Sequence, residues 1–258
     1  MFAGRPIFAR WGSIISEMKI LSWNLNHRIQ MKKIPDDVLS IIEALSPDII
    51  TLNEYVDGDE REHFKNGLNE IGFSHVSVSN KCKRQNQVLI ASKVGHEDGD
   101  LRPPLYDEAS ISNFLHVIVP AHAIEVVGLR APAYKKSKEL KIYWSDLRDI
   151  FNCVATRTIV FIGDLNCDPN FNNTPGAKSL NTLCEQGWKL PIPSEPWSYI
   201  SYNGQRHSKL DYALGSPAIN GMSSKYISEV NSFIVAGSKD QNPLSDHAIL
   251  LTEISPTR

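Results

Sequence analysis

The sequence contains no stretch approaching the roughly 20 apolar residues of a membrane span, so a membrane protein is not expected. It has four cysteines, Cys82, Cys153, Cys167 and Cys184, and no two of them form a Cys-x-x-Cys pair. A thiolate zinc site is therefore poorly supported, and a reduced, cytoplasmic chain is expected. Positive charge is not in excess either. Lys and Arg number 27 against 29 Asp and Glu, for a net charge of -2. A protein that coats nucleic acid through its overall charge carries a large positive excess. A phosphate-rich partner would here have to be met by local patches. Lys81, Lys83 and Arg84 form one, and Lys135, Lys136, Lys138 and Lys141 form another.

Residues 1–17 carry Arg5 and Arg10 but neither a long apolar core nor a small-residue cleavage site, which argues against a secretory leader. They read as a disordered tail or an upstream start, with Met18 standing directly before the first strand. Apolar residues make up 41% of the chain and charged residues 22%, a balance that a packed globular core requires. Repeats and low-complexity linkers are absent, and residues 18–258 read as one domain.

The pattern begins with a short β run, 19–23, ending in Asn24-Leu25-Asn26. Pro35 opens a helix whose buried face is Val38, Leu39, Ile41, Ile42 and Leu45. Residues 48–54 form a buried strand, and a second helix is expected over 60–71, closed by Gly72. Strands follow at 75–78, 87–92, 112–119 and 124–129. Residues 137–154 read as a long amphipathic helix and 158–162 as an apolar strand. A shorter helix is expected near 177–186, and strands over 209–214, 226–235 and 248–254. Strands alternating with helices in both halves suggest two sheets packed face to face, with helices outside.

Every conspicuous Asp, Glu or Asn cluster lies at the end of an apolar strand, where rigid elements can deliver side chains to one cleft. The clusters are Trp23-Asn24-Leu25-Asn26, Leu52-Asn53-Glu54, Gly163-Asp164-Leu165-Asn166, Lys209-Leu210-Asp211-Tyr212 and Ser245-Asp246-His247. One such carboxylate has a plain explanation as a turn or helix cap. Five are harder to explain so, because converging carboxylates repel unless a cation neutralises them. Carboxylate and amide oxygens suit magnesium or manganese. The chemistry best served is attack of water on a phosphodiester.

The ordered set Trp-Asn-Leu-Asn, Leu-Asn-Glu, Gly-Asp-Leu-Asn, Leu-Asp-Tyr and Ser-Asp-His resembles the endonuclease/exonuclease/phosphatase superfamily, across residues 19–254. That superfamily includes exonuclease III-like nucleases, deoxyribonuclease I, neutral sphingomyelinases and inositol-polyphosphate phosphatases. The resemblance implies an α/β fold, a four-layer α/β/β/α sandwich with the site at one end of the sheets. It implies metal-site roles for Glu54, Asn24 and Asp246, with Mg2+ or Mn2+ as the ion. It further implies that Asp164 orients or deprotonates the attacking water, that Asn166 contacts the phosphate, and that Asp211 orients a histidine. His247 would contact the scissile phosphate, as base or as charged stabiliser. One departure stands out. Where relatives carry His or Tyr shortly before a Pro, this chain has Arg130 in Gly128-Leu129-Arg130-Ala131-Pro132. A guanidinium cannot donate its proton near neutral pH but can clamp phosphate oxygens, so Arg130 is expected to stabilise phosphate, with Tyr134 the other candidate.

For substrate, nucleic acid, and DNA in particular, is the leading expectation. Lysines follow the Arg130 motif, and Trp197 and Tyr199 precede Asp211, although both aromatics could simply be packing. With Asn26 and Tyr134, these are the candidate substrate contacts. The near-neutral charge slightly favours the alternative, a phosphatase or phosphodiesterase acting on a small-molecule or lipid phosphate. A non-catalytic binding module is opposed by the intact set Glu54, Asp164, Asn166, Asp211 and His247.

Overall fold

The computed structural model describes residues 17–26, 34–83, 85–104, 107–133, 136–171 and 173–255. Residues 1–16 of the expected tail lie outside them. The first elements are β1 (Met18–Asn24), α1 (Asp36–Leu45), β2 (Ile49–Tyr55), α2 (Glu62–Glu70), β3 (His75–Val78) and β4 (Gln87–Ser92). Next come β5 (Glu97–Asp98), α3 (Glu108–Ser112), β6 (Phe114–Val119), β7 (Ile124–Arg130), α4 (Ser137–Val154), β8 (Ile159–Asp164) and α5 (Pro175–Glu185). The last are β9 (Tyr199–Ile200), β10 (His207–Ser208), β11 (Asp211–Gly215), β12 (Met222–Ile227), β13 (Glu229–Val230), β14 (Phe233–Ile234) and β15 (Ile249–Ile254).

Two large mixed sheets result. One has the order β12-β15-β1-β2-β4-β3, the other β11-β8-β7-β6-β5. In each, one parallel pair (β1 with β2, β7 with β8) is flanked by antiparallel neighbours. Period-two alternation along the strands sorts their side chains into three apolar layers. On β1, Leu21 and Trp23 join a cluster with Val38, Ile41 and Ile42 of α1 and Phe64 and Leu68 of α2. Ile20 points the other way, into a layer between the sheets with Val126, Val160, Ile162, Ala213 and Leu250. Val127, Leu129 and Phe161 face Tyr143, Trp144, Leu147 and Phe151 of α4 and Leu180 of α5. The layering is helix, sheet, sheet, helix, as expected. Burying each of these large apolar side chains contributes about 1.5–3 kcal/mol.

The ends of the elements follow from local chemistry. In α1, Asp36 and Asp37 occupy the first turn, where the helix dipole favours anions, and the helix ends on left-handed Ser46 just before Pro47. The long helix expected over 137–154 is α4. Two expectations need adjustment. The strand expected from residue 112 starts at Phe114, because Asp107 caps Ser110 N and turns residues 108–112 into the short α3. The single strand expected over 226–235 is instead the end of β12 and a small β13–β14 hairpin turning at Asn231, φ 53°.

Candidate active site

Strand register builds one wall of the site. Arg130 of β7 stands beside Asp164 of β8, and Asp164 beside Asp211 of β11. On these strands Val126, Ile162 and Ala213 face the opposite sheet, so residues an even number of positions further along face it too. The row Arg130–Asp164–Asp211 therefore continues the inter-sheet core at one end of the sandwich. Across from it, the parallel register of β1 and β2 sets Asn24 beside Asn53, on the face shared with Ile20 and Ile49.

Glu54 arrives by a different route. Alternation alone would put it with Ile50 and Leu52, under the helices. The register of β2 against β4 shifts between Leu52 and Tyr55, and Glu54 takes φ 57°. A bulge with a left-handed non-glycine residue re-aims that side chain, a conformation costing on the order of 1–3 kcal/mol. The result is a buried carboxylate, its Oε1 3.4 Å from Asn24 Nδ2 and 2.8 Å from Arg130 Nε. That Arg130 N–H is not aimed at an acceptor, so the contact is ionic and not a hydrogen bond. Arg130 Nε also lies 3.6 Å from Asp164 Oδ2.

Asp164 is buried and well held. Asn24 Nδ2 donates to its Oδ2 at 3.0 Å, and Asn166 N donates to its Oδ1 at 3.0 Å. Burial, then the charge of Asp211, pushes its carboxyl up to about 6, against the downward pull of His247 and Arg130. Asn24 turns its nitrogen to the carboxylates, since its Oδ1 accepts from Asn26 N at 2.9 Å. Asn166, at φ 48°, donates Nδ2 to Ala131 O. Gly163 makes the sharp turn possible: its φ is +148°, and a Cβ there would stand 2.0 Å from Leu129 O.

His247 Nδ1 is 2.9 Å from Asp211 Oδ2, and both are buried. Burial alone would lower the imidazole pKa. The charge of Asp211 and its hydrogen bond, with Asp164 and Asp246, more than reverse this and push it up to about 10. At neutral pH His247 is thus an imidazolium whose Nδ1–H donates to Asp211. Its Nε2 bonds to no described residue. The backbone around it is pinned: Trp23 Nε1 donates to His247 O, and Ser245 Oγ donates to Asn24 O while accepting from His247 N. Asp246 is half-buried, and its carbonyl accepts from Ile200 N.

Two residues in the site have roles that the sequence did not assign. Ser198 Oγ donates to Asp211 Oδ2 at 2.7 Å and accepts from Leu210 N and Asp211 N. Nothing in the sequence marks it beyond its place between Trp197 and Tyr199. Asn53, with its amide turned to match its neighbours, donates to Leu129 O and accepts from Asp164 N, both at 3.2 Å, so it ties the sheets together beside Gly163. Of the expected substrate contacts, half-buried Trp197 packs against the inter-sheet layer and stacks on His207, centroids 5.7 Å apart. Tyr199 lies against the His247 ring at 5.0 Å. Asn26 is at the rim, and Tyr134 lies outside the described residues.

Glu54, Asp164 and Asp246 offer the carboxylate oxygens that a hard divalent ion takes, and burial with the charge of Asp211 already raises the pKa of Asp164. Among the described residues, the group of three acidic or histidine side chains whose ligand atoms lie within 4.8 Å of one another is Asp100, His116 and Glu125. It sits at the far end of β7, near Ile124, and Arg157 already fills its centre, bonded to both carboxylates. His116 is held by Leu101 N and Glu125. That network is structural, with its countercharge built in.

A family model described as the Endonuclease/Exonuclease/phosphatase family matches residues 21–247. The chain belongs to this family. No curated protein matches it. Among solved structures, a 3'-5' exonuclease (NExo) from Neisseria meningitidis is similar at 19% identity and TM-score 0.68, covering 92% of this chain and 100% of that one. An AP endonuclease from Archaeoglobus fulgidus aligns at 18% identity and TM-score 0.64, covering 92% and 99%. Truncated TDP2 from Caenorhabditis elegans aligns at 15% identity and TM-score 0.65, covering 92% and 97%. At these identities the likeness is one of fold. Family membership supports a phosphoesterase.

Proposed function

We propose that this protein is a divalent-metal-dependent phosphodiesterase that hydrolyses nucleic acid, with DNA the leading substrate. The observation that carries the reading is the row Arg130–Asp164–Asp211 facing Asn24 and Glu54, with a charged His247 at its edge. Glu54 and Asp246 would hold the ion, Mg2+ or Mn2+, and Asn24 would join them through its oxygen once its amide turns. When bound, the ion supplies positive charge at a phosphate oxygen.

The protein's own groups divide the remaining work. Asp164, with a pKa of about 6, is ionised at neutral pH yet basic enough to orient a water and take its proton. Asn24 and the Asn166 amide fix the carboxylate so that its remaining lone pairs face the cleft. His247 serves as a charged stabiliser, its Nε2–H free to donate to a phosphate oxygen while Asp211 and Ser198 hold the ring. Arg130 has five N–H donors, enough to stay near Glu54 and also clamp a phosphate oxygen.

The nucleic-acid reading is supported by what flanks the site. The β9–β10 hairpin carries exposed Tyr202 and Arg206, with Lys239 stacked over Tyr202. The similar proteins include an AP endonuclease and a Neisseria NExo variant bound to a product DNA hairpin. No helix among the described residues is long and apolar enough to cross a membrane, and all four cysteines are free, which suits a reducing cytoplasm. The test is a substrate panel with Mg2+ or Mn2+, with and without chelator. It would contain single- and double-stranded DNA, abasic DNA, RNA, inositol phosphates and sphingomyelin. Metal-dependent cleavage of nucleic acid, lost in Asp164→Ala, is expected. Cleavage of small or lipid phosphates alone would overturn the nuclease reading.

A further inference from the structure

Helices α4 and α5 both start at the end of the sandwich that carries the site. Ser137 follows Arg130 by seven residues, and Pro175 follows the Asp164–Asn166 turn. Between the two helices lies a cavity of about 430 Å³, lined among others by Ser137, Lys141, Trp144, Arg148, Pro175 and Lys178. That volume lies in the range of roughly 300–1,000 Å³ typical of small-ligand sites. The spacing of Ser137, Lys141, Trp144, Ser145 and Arg148 puts all five on one face of α4. The carboxylates of α4, Glu139, Asp146 and Asp149, lie off it, and no acidic residue lines the cavity.

Three cations thus share one small space. Among the described residues, none of Lys141, Arg148 and Lys178 pairs with a carboxylate. Lys178 makes the arrangement worse for stability, since it sits in the first turn of α5, where the helix dipole disfavours a positive charge. Like charges gathered in a concavity against a helix dipole weaken the fold, and an anionic ligand would relieve both terms. The helix ends do not supply the site themselves: Thr174 already caps Ala177 N, and Glu139 already accepts from Lys136 N. The side chains therefore have to carry any binding.

The cavity is joined to the catalytic row. Trp144 and the Cys167 thiol both press against Gly176, where a Cβ would lie 2.8 Å and 2.7 Å from them, and Cys167 directly follows Asn166. On the same loop, between Asn166 and Pro175 in sequence, Phe171 is 67% exposed.

We propose that the α4–α5 cavity is a second phosphate subsite, holding a backbone phosphate of the same nucleic-acid strand whose scissile phosphate lies at Asp164. This rests on the nuclease reading. Exposed Phe171, on the loop between Asn166 and Pro175, offers a stacking surface to an intervening base. Charge supplied by Lys141, Arg148 and Lys178 raises strand affinity and acts on no bond directly.

The test compares the wild type with Lys141→Gln/Arg148→Gln and with Lys178→Gln, on an oligonucleotide and on bis(p-nitrophenyl) phosphate, which is too small to span both subsites. The expected result is a roughly tenfold rise in KM for the oligonucleotide in the double variant. The slope of log affinity against log salt should also fall by about 0.7 for a single strand, since one phosphate contact is lost. Hydrolysis of bis(p-nitrophenyl) phosphate should stay unchanged in both variants. Unchanged oligonucleotide KM and salt slope would overturn the subsite while leaving the nuclease reading intact. Equal losses on both substrates would also overturn it, since they would mean damage to the catalytic centre. A wild type that cleaves the small diester but neither binds nor cuts nucleic acid would sink the nuclease reading and the subsite with it.

Discussion

The Nε of Arg130 stands 2.8 Å from Oε1 of Glu54, so the residue that departs from the pattern of relatives contacts an expected metal ligand. The guanidinium and a divalent ion would thus draw on the same carboxylate. In the metal-free protein, removing Arg130 leaves Glu54 and Asp164 as buried like charges. We expect Arg130→Ala to lose ~3 kcal/mol, the low end of what breaking a buried ion pair costs. Added Mg2+ or Mn2+ should restore more of the lost melting temperature in the variant than it adds to the wild type. Titration calorimetry should show tighter metal binding in Arg130→Ala, while turnover falls by about 10²–10³, as expected for a lost transition-state donor. Near-normal turnover would leave Arg130 as a structural countercharge alone.

Asp164 trades stability for chemistry. Its folded pKa of about 6 lies above the ordinary 3.8, so the fold prefers the protonated carboxyl. That preference stabilises the protein fully below pH 3.8 and is lost as pH rises through 6. Asp164→Asn removes the charge while keeping the size. At pH 7.5, without metal, its melting temperature should equal or exceed that of the wild type. Its turnover should fall by ~10³ or more, combining the loss of the base with that of a positioned water. A variant both inactive and clearly less stable would assign Asp164 a structural role.

Gly163 has no room for any other residue. An added Cβ would stand 2.0 Å from Leu129 O and 2.8 Å from the Asn53 side-chain amide, on a backbone at φ +148°. Because two of the obstacles belong to neighbouring β7 and to an inter-sheet bridge, neither can yield cheaply. Gly163→Ala should cost about 3 kcal/mol, which for a chain of this size means a melting temperature lower by roughly 6–12 °C. Differential scanning calorimetry would measure this, and a shift under 2 °C would show that the turn can relax.

Much of this site can be read from strand alternation. Asp164 and Asp211 lie two positions beyond Ile162 and before Ala213 respectively, residues that pack between the sheets, so an apolar alternation that ends in a carboxylate marks the cleft. Arg130 obeys the same rule through Val126, although its place was read from the likeness to the family motif, and its contact with Glu54 was not legible at all. Glu54 breaks the rule: only the bulge in β2 brings it to the cleft, and a bulge leaves no mark in residue types. Ser198 was illegible for another reason. Its partner Asp211 is 13 residues away, across a loop whose path is set by tertiary packing. The α3 turn was missed because the Asp107 cap is a single local contact, outweighed on paper by the apolar run that follows it.

The His247–Asp211 pair makes stability depend on pH in a defined direction. His247 titrates near 10 in the folded protein against an ordinary 6.5, held up by the Asp211 charge and hydrogen bond against the opposing effect of burial. The native state therefore binds the proton more tightly than the unfolded chain does. Its contribution to stability is fully present below pH 6.5 and is lost as pH rises through 10. In Asp211→Asn the amide oxygen can still accept from Nδ1, but the charge that holds the proton is gone. The gap in melting temperature between wild type and Asp211→Asn should be widest near pH 6 and should shrink steadily towards pH 10. The same variant should lose turnover at pH 7, because a neutral imidazole no longer offers both N–H groups, one to residue 211 and one to the phosphate. A gap that stays constant from pH 6 to pH 10 would show that His247 is neutral throughout, and the base rather than the charged stabiliser would become its role.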